Sequence, residues 1–297
     1  MTRLLAALGC ALALAGCAAA GGNAGVGSSG QESAAAAPAL PPETMRWLYG
    51  SGEAAALSIQ TFRNIAEFAI AHKGRDARSV ILAPGATPDA PSFTTCGDKP
   101  RAVVFDVDET VLLNLGYEYW QASTGSGFDS AVWDAWERTG TQAVAPVPGA
   151  VTALRNMRAA GIVVVFNTNR QSTNAAETAA AIAHAGLGSA VHGETLFLAG
   201  DDAMGSAKDG RRATIAARYC VVAMGGDNLG DFSDRFNDSN LTPAARRTLA
   251  GSGASAQQLW GNGWFVLPNP VYGASLKGNF DSVFPPEMRW TPDAAAR

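Results

Sequence analysis

The chain has 297 residues, a formal net charge of −4 and a sequence pI near 5.4. This mildly acidic balance, without a basic run, argues against a nucleic-acid polymer as a partner, but it does not exclude a small phosphorylated ligand. Beyond the first residues, no stretch is apolar for long enough to predict a transmembrane helix.

The N-terminal residues predict a secretory signal. A short basic start at residues 1–3 precedes an apolar run over residues 4–13, which is too short to span a bilayer. Leu14-Ala15-Gly16-Cys17 resembles the lipobox of bacterial lipoproteins, which implies removal of residues 1–16 and a lipid membrane anchor on Cys17. Ala18 after that cysteine favours the outer membrane. The alternative is an ordinary secretory signal with a chance cysteine.

The segment that follows predicts a tether and then a single folded domain. Residues 17–42 are rich in Ala, Gly, Ser and Pro and predict a flexible tether. Residues 43–290 suit one domain with a small elaboration, followed by a tail over residues 291–297. Two cysteines remain in this domain, Cys96 and Cys220. In an oxidising compartment these two could pair as a disulfide, and the alternative is two buried thiols; the sequence leaves both open.

The predicted elements alternate between helix and strand. Apolar residues at helical spacing predict a helix over residues 43–72. Strands are then predicted over residues 102–105, 161–166, 195–198, 220–224 and 264–267, and helices over residues 149–160, 173–185 and 208–218. This order predicts parallel βαβ units in a doubly wound, mainly parallel α/β sheet.

One segment does not follow this alternation. Residues 114–148 lie between the first strand and its returning helix and are rich in aromatic residues: Tyr117, Tyr119, Trp120, Phe128, Trp133 and Trp136. An insertion at this point lies above the carboxyl ends of the strands, where open α/β sheets bind their ligands.

Acidic residues follow two of the predicted strands. Asp106 and Asp108 come directly after the first strand, and Asp227 and Asp231 come after the strand over residues 220–224. Four carboxylates at one edge of a sheet repel each other unless a cation lies among them. Oxygen ligands of this kind suit Mg²⁺, so the pattern predicts a magnesium site.

Two further segments are candidates to supply positive charge and hydrogen-bond donors to a phosphorylated ligand. Thr168 and Asn169 follow the second strand, where the threonine hydroxyl and the following amides contact phosphate oxygens. Lys208 begins a predicted helix, close to its positive N-terminal end.

These motifs, in this order, resemble the haloacid dehalogenase (HAD) superfamily of aspartyl-phosphate phosphatases. The four motifs are Asp106-Val107-Asp108-Glu109-Thr110, Thr168, Lys208, and Gly226-Asp227-Asn228-Leu229-Gly230-Asp231. More narrowly, the chain resembles the class C acid phosphatases, lipoproteins of the bacterial outer membrane that act on nucleoside monophosphates and other monoesters. Thr168-Asn169-Arg170 and Leu267-Pro268-Asn269-Pro270-Val271-Tyr272-Gly273 add to this likeness.

The resemblance implies a role for each motif residue. Asp106 is the implied nucleophile, and Asp108 the acid that protonates the leaving alcohol and later the base that activates water. Mg²⁺ is held by Asp106, the backbone carbonyl of Asp108, and Asp227, with Asp231 as a ligand or close by. Thr168 and Lys208 bind the phosphoryl group. The resemblance also implies a small helical cap over about residues 43–95 and 114–148, a core over 96–113 and 149–290, and it allows a homodimer.

The sequence departs from the family pattern at two positions. Gly230 stands where the family often has another Asp, and Asn167 replaces the usual apolar residue before Thr168. Neither position carries an implied catalytic role.

The substrate is left more open than the reaction. Five aromatic residues are candidates for a slot that stacks a nucleobase or a nicotinamide ring: Tyr117, Trp120, Trp133, Trp136 and Tyr272. We expect about two of them to contact substrate, with Trp120 and Tyr272 the leading candidates and the others in the core of the cap. A phosphatase for sugar phosphates or phosphoserine would carry the same four motifs.

A different class of function is also compatible with a surface lipoprotein. Such a protein would bind a ligand such as haem and retain only vestigial chemistry. The three histidines, His72, His184 and His192, do not have metal-ligand spacing, and the complete set of catalytic residues argues against this alternative.

Overall fold

The computed structural model describes residues 40–74, 77–251 and 255–292. The predicted signal, the lipid site at Cys17 and most of the tether lie outside these residues. In the part of the chain that is described, no helix is long and apolar enough to cross a bilayer.

The described elements follow one another as helices and strands in the predicted alternation. The helices are α1 Glu43–Gly50, α2 Gly52–Ala71, α3 Leu115–Thr124, α4 Ser130–Thr139, α5 Ala150–Ala159, α6 Ala175–His184, α7 Asp209–Arg218, α8 Pro243–Ala250 and α9 Phe280–Val283. The strands are β1 Arg101–Phe105, β2 Leu112–Leu113, β3 Ala145–Pro146, β4 Val163–Gln171, β5 Leu196–Ala199, β6 Cys220–Gly226 and β7 Trp264–Val266.

Five strands form the central sheet in the order β5-β4-β1-β6-β7, and all four neighbouring pairs are parallel. The predicted doubly wound α/β sheet is confirmed. The chain runs from β1 to β4 and β5 on one side, then crosses to β6 and β7 on the other. The crevice between the ends of β1 and β6 is therefore the switch point at which sheets of this kind bind ligands.

The residues of β1 alternate between two apolar layers. Val103 and Phe105 pack into one core cluster with helices α2, α5 and α6, whereas Ala102 and Val104 pack into the other. A strand that is covered on both faces reads as a continuous apolar run, which is why the sequence identifies it.

The predicted single helix over residues 43–72 is two helices, with a break at Ser51. Ser51 has an extended backbone (φ −93°, ψ 149°), and its side chain accepts a hydrogen bond from the N–H of Ala54 at 3.1 Å. It therefore caps α2. The glycines on either side, Gly50 and Gly52, favour a break here because glycine disfavours a helix interior.

Helix α2 packs into the core, whereas the family resemblance implies a cap over about residues 43–95. Phe62 and Ile65 are fully buried in the main core cluster, and the ring of Phe62 lies 5.9 Å from that of Phe105. Helix α5 begins after Gly149 and approaches α2 closely there. A Cβ atom at Gly149 would lie 3.0 Å from the Cα of Ile59, and its φ is +93°. Only glycine fits this contact without strain.

The aromatic insertion folds as two helices between two short strands. Strands β2 and β3 pair antiparallel, Leu112 with Pro146 and Leu113 with Ala145. Helices α3 and α4 lie between them in the sequence. This antiparallel pair returns the chain close to its point of departure, so the insertion can cover the sheet edge without interrupting the alternation of strands and helices.

Cys96 and Cys220 form a disulfide, with their Cα atoms 4.6 Å apart. Of the two alternatives left open by the sequence, the paired state is therefore the one observed. The bond joins the segment before β1 to the first residue of β6, at the end of these strands opposite to the acidic residues.

Candidate active site

Asp106, the predicted nucleophile, lies at the carboxyl end of the central strand. Its N–H donates to the carbonyl of Gly225 at 3.0 Å, so the pairing of β1 with β6 continues up to the carboxylate. The chain then turns sharply, because the N–H groups of Val111 and Leu112 both donate to the carbonyl of Val107 at 2.9 Å. This turn holds Asp106 at the ligand-binding edge of the sheet.

Lys208 forms a buried ion-pair bridge between two carboxylates. Its Nζ donates to Oδ1 of Asp106 at 2.5 Å and to Oδ1 of Asp231 at 2.6 Å. Burial lowers the pKa of Lys208, but the charges of Asp106 and Asp231 outweigh this effect, so the pKa lies above its usual value. The ammonium group therefore stays charged beside the nucleophile.

The third acidic residue, Asp227, follows β6, and each of its two carboxylate oxygens accepts a hydrogen bond. Thr110 Oγ1 donates to Asp227 Oδ1 at 3.0 Å, and Asn269 Nδ2 donates to Asp227 Oδ2 at 2.6 Å. These contacts tie the loop after β1 and the segment after β7 to one carboxylate, so that its orientation is fixed.

These carboxylates fit a divalent cation. One oxygen of each of Asp106, Asp227 and Asp231 lies within 4.8 Å of the others. Burial raises the pKa of Asp106 to about 7 in spite of Lys208, and it raises the pKa of Asp227 well above its usual range. Three carboxylates against one ammonium leave an excess of negative charge, which an oxygen-seeking cation would balance.

Asp108 does not join this group through its carboxylate, and its predicted metal contact through the backbone carbonyl stays a prediction. Instead, its Oδ1 accepts from Arg170 Nε at 2.9 Å and from Asn114 Nδ2 at 3.0 Å. Its Oδ2 accepts from the hydroxyl of Thr168 at 3.3 Å. Arg170 is buried and also donates to Asn114 Oδ1 at 2.8 Å. The predicted acid is therefore held in one orientation.

Glu109 connects this turn to two tyrosines. It is the one non-glycine residue with a left-handed backbone (φ 52°) among the described residues. Its Oε2 accepts from the hydroxyl of Tyr272 at 2.7 Å, and its Oε1 accepts from the N–H of Asn114 at 2.9 Å and from Tyr49 at 3.3 Å. Burial raises the pKa of Glu109 to about 7. The hydroxyl of Tyr272 is thus occupied, and its ring is the part left for a ligand.

Hydrogen bonds from Arg211 connect the end of β4 to helix α7. Strand β4 continues through the predicted phosphate-binding residues Thr168 and Asn169. The buried guanidinium of Arg211 donates to the carbonyl of Thr168 and, at 2.6 Å, to Oδ1 of Asn169. Because Arg211 lies one turn after Lys208, one helix positions both the phosphate-binding segment and the lysine.

The N-terminus of α7 is not free for a ligand, contrary to the expectation from the sequence. The N–H groups of Lys208 and Asp209 each donate to the carboxylate of Asp234 at 2.7 Å. An aspartate thus takes the place of an anion at this helix end. Lys208 contributes to the site through its side chain alone.

These groups line a cavity of about 940 Å³. Asp106, Asp108, Asn169, Lys208, Asp227 and Asp231 lie in its wall, together with the aromatic residues Tyr117, Phe128, Trp133 and Tyr272. A cavity of this size is typical of small-molecule sites, in which apolar walls surround a few polar groups.

Trp120, one of the two leading candidates for substrate contact, is not among the residues that line this cavity. Its ring packs 5.6 Å from that of Tyr117. Trp133 lies in the wall instead, with its ring perpendicular to that of Tyr117 at 4.8 Å. The arrangement makes Trp133 a better candidate than Trp120.

The two departures from the family pattern differ in their surroundings. A Cβ atom at Gly230 would lie 2.0 Å from Nδ2 of Asn237, so the side chain of Asn237 fills the space that a larger residue would need. Asn167 is buried with no hydrogen-bond partner for its Oδ1, and nothing in the structure explains it.

The three histidines lie at the surface: His72, His184 and His192. In the described part of the chain, none of them lines the cavity or belongs to the group of potential metal ligands. The haem-binding alternative therefore has no supporting site.

Four residues of the site had no assigned role in the sequence analysis. Arg170 follows Thr168 by two positions, which puts both on one face of a strand, and Arg211 follows Lys208 by one helical turn. These spacings could have identified both arginines. Glu109 contacts the nearby Asn114 but also Tyr49 and Tyr272, which are distant in sequence. Asn269 contacts the distant Asp227, and no local pattern predicts such long-range pairs.

Comparisons with known proteins agree with this geometry. The profile of the HAD superfamily, subfamily IIIB (acid phosphatase) matches residues 59–275. The structure of the class C acid phosphatase from Bacillus anthracis aligns with a TM-score of 0.61 and 23% identity over 78% of this chain and 84% of that chain. The tungstate-bound form of that enzyme aligns with a TM-score of 0.60 and 21% identity over 85% and 91%. The chain therefore belongs to the subfamily IIIB acid phosphatases of the HAD superfamily and is a phosphomonoester hydrolase.

Proposed function

We propose that the protein is a Mg²⁺-dependent phosphomonoesterase that hydrolyses nucleoside monophosphates and other monoesters through a phosphorylated Asp106. The observation that carries the proposal is the group formed by Asp106, Asp227 and Asp231, with Lys208 bonded to two of them. Phosphoryl transfer is catalysed mainly by positioning and by electrostatic stabilisation. This group supplies a nucleophile, the ammonium group of Lys208 and three carboxylates that would hold a cation.

In the first step, a carboxylate oxygen of Asp106 attacks phosphorus, and the bond from phosphorus to the alcohol oxygen breaks. Asp108 gives its proton to that oxygen. Mg²⁺ held by Asp106, Asp227 and Asp231 would neutralise charge on the transferring group. The side chain of Lys208 binds a phosphoryl oxygen. Thr168, the second predicted phosphate ligand, does not line the cavity, and its hydroxyl donates to Asp108, so it would have to turn to reach the phosphoryl group.

In the second step, Asp108 acts as a base. It takes a proton from a water molecule whose oxygen attacks phosphorus, and the bond to Asp106 breaks to release inorganic phosphate. Arg170 and Asn114 keep the carboxyl of Asp108 in place for both transfers, since both donate to its Oδ1.

The cavity supports a nucleoside monophosphate as substrate. Phe128, Trp133 and Tyr272 line it and are candidates to stack on a nucleobase, and such contacts are worth about 0.5–1.5 kcal/mol beyond the area they bury. The tungstate held by the B. anthracis enzyme is an oxyanion, as phosphate is. A sugar phosphate would use the same chemistry without the stacking.

Phosphate release from a panel of monoesters, with and without chelator, tests both parts of the proposal. We expect Mg²⁺-dependent turnover by the wild type and a loss of about 10⁴-fold or more in Asp106→Asn. Asp238→Asn is the control, because this half-buried aspartate lies outside the cavity wall and pairs with Arg235 and Asn240. Wild-type turnover by Asp106→Asn would disprove the mechanism. Activity on nucleoside monophosphates no greater than on glycerol phosphate would disprove the substrate class.

We also propose that the enzyme is anchored to the outer membrane through a lipid on Cys17. The support is the lipobox at residues 14–17 and the tether that follows it. Fractionation of cells that express the wild type or Cys17→Ala tests this proposal. We expect the variant to leave the membrane fraction, and an unchanged distribution would contradict the anchor.

A further inference from the structure

Glu118 is a buried carboxyl group in the wall of the active-site cavity. It lies on α3, is 4% exposed and lines the cavity. Its Oε2 is buried with no hydrogen-bond partner. Leaving a buried polar group without a partner costs about 1–3 kcal/mol, so a group left in this state in a cavity wall points to a ligand that completes it.

A second buried glutamate of the insertion shows what a structural role looks like. Glu137 on α4 is 1% exposed and also has one buried oxygen, Oε1, without a hydrogen-bond partner among the described residues. Unlike Glu118 it does not line the cavity, and its Oε2 accepts from the N–H of Gln171 at 3.0 Å and from Nδ2 of Asn174 at 2.8 Å. Glu137 thus fastens α4 to the end of β4 and the start of α6. In the part of the chain that the structure describes, the side chain of Glu118 makes no corresponding hydrogen bond to a neighbouring element.

The charges around Glu118 define what it can bind. Burial raises its pKa to about 8, and the neighbouring Glu109 and Asp108 add to this effect. Burial raises the pKa of Tyr49 on α1, and the charge of Glu118 in turn adds to this effect. A protonated carboxyl donates one hydrogen bond and accepts others, and an ionised one only accepts. A hydroxyl group both donates and accepts, so it can pair with the protonated or with the ionised carboxyl. A quaternary ammonium group has no N–H to donate and can form a hydrogen bond with neither.

The position of Glu118 selects the part of the substrate that it reaches. Asp108 lines the same cavity, and its charge adds to the effect of burial in raising the pKa of Glu118. Because Asp108 is the proposed acid that protonates the leaving alcohol, we place Glu118 on the alcohol side of the ester. Carboxyl groups bind the ribose hydroxyls of dinucleotides in other α/β folds.

We propose that Glu118 determines specificity by hydrogen bonding to a free hydroxyl group on the alcohol part of the substrate, such as a ribose hydroxyl. The proposal rests on the proposed function, because it assigns a substrate contact within the same site. It requires the enzyme to prefer hydroxylated esters over otherwise identical deoxy esters, since an analogue without the hydroxyl leaves the buried carboxyl unpaired.

The test compares kcat/KM for adenosine 5′-monophosphate and for its 2′,3′-dideoxy analogue, with p-nitrophenyl phosphate as a substrate that reports on the chemistry. We expect the wild type to favour the ribonucleotide at least tenfold. In Glu118→Leu the ratio should fall to within twofold, while Glu118→Gln, which still donates and accepts, should keep most of it. Glu137→Gln is the matched control and should keep the wild-type ratio.

Equal kcat/KM for the two nucleotides in the wild type would overturn the proposal without any variant. So would a preference that persists in Glu118→Leu, or one that Glu137→Gln loses to the same extent. A wild type that hydrolyses p-nitrophenyl phosphate but shows no hydroxyl preference contradicts this inference alone. A wild type that hydrolyses none of the three esters contradicts the proposed function as well.

Discussion

Nζ of Lys208 and Oδ1 of Asp106 lie 2.5 Å apart, and both side chains are buried. The same nitrogen lies 2.6 Å from Asp231, so this lysine balances two carboxylates. In Lys208→Met these carboxylates would be buried without a counter-charge. Breaking a buried ion pair from one side costs about 3–5 kcal/mol.

We therefore expect Lys208→Met to lower the free energy of unfolding by about 3–5 kcal/mol in urea titrations at neutral pH. Added Mg²⁺ should restore part of this loss, because the cation balances the same charges. Lys208→Arg should recover more stability than turnover, since its planar head cannot reproduce a compact ammonium. Equal unfolding free energies for wild type and Lys208→Met would show that the bridge is not stabilising.

Replacement of Arg170 should impair protonation of the leaving group. In Arg170→Met the carboxyl of Asp108 loses its strongest donor, and we expect kcat for an alkyl phosphate to fall by about 10²-fold or more. p-Nitrophenyl phosphate should lose much less, because its leaving group needs little protonation. Arg235→Met, at a half-buried arginine outside the cavity wall, is the control. Equal losses for both esters would mean that Arg170 has only a structural role.

Removal of the group that orients Asp227 should weaken metal binding. Asn269 donates to Asp227 Oδ2 at 2.6 Å, and loss of such an outer contact typically costs 10–100-fold in metal affinity. Titration calorimetry with Mg²⁺ on Asn269→Ala measures this directly, with the exposed Asn240→Ala as control. Because the pKa of Asp106 is raised to about 7, protons should compete with Mg²⁺ below that pH. Affinity that is independent of pH between 5 and 8 would contradict the assigned ligands.

The buried carboxyl of Glu118 should make stability fall with rising pH. The folded state keeps its proton up to about pH 8, whereas the unfolded state releases it near 4.5. Between these values the folded state binds more protons, so raising the pH favours unfolding. We expect Glu118→Gln to gain on the order of 1–3 kcal/mol relative to the wild type at pH 8 and little at pH 4.5. A gain that is the same at both values would contradict the raised pKa.

The sequence predicts the chemistry better than it predicts the packing. Asp106 and Asp227 are identifiable because each follows an apolar run, and strands of that kind bring their carboxyl ends to one edge. The helical spacing in α2 shows that this helix has an apolar face. It does not show whether that face covers the sheet or the insertion, and this is why the helix was assigned to the cap.

The aromatic residues that line the cavity are also hard to predict from the sequence, because residue type does not show which way a side chain points. Trp120 and Trp133 are equivalent as residue types, and the orientation of α3 and α4 decides which of them faces the cavity. The continuation of β4 to Gln171 also escaped prediction, because polar residues such as Asn167 and Asn169 interrupt the apolar pattern while the backbone pairing continues.

The distances along the chain between the partners of the site have a consequence for how the protein folds. Lys208 is 102 residues from Asp106, Thr110 is 117 from Asp227, and the disulfide closes a separation of 124. Contacts of such long range form slowly, because the loop that they close must lose its entropy first. During synthesis, the carboxylate group cannot assemble before Asp231 has been added. Recovery of turnover after denaturation should therefore report completion of the whole domain and not of any local unit.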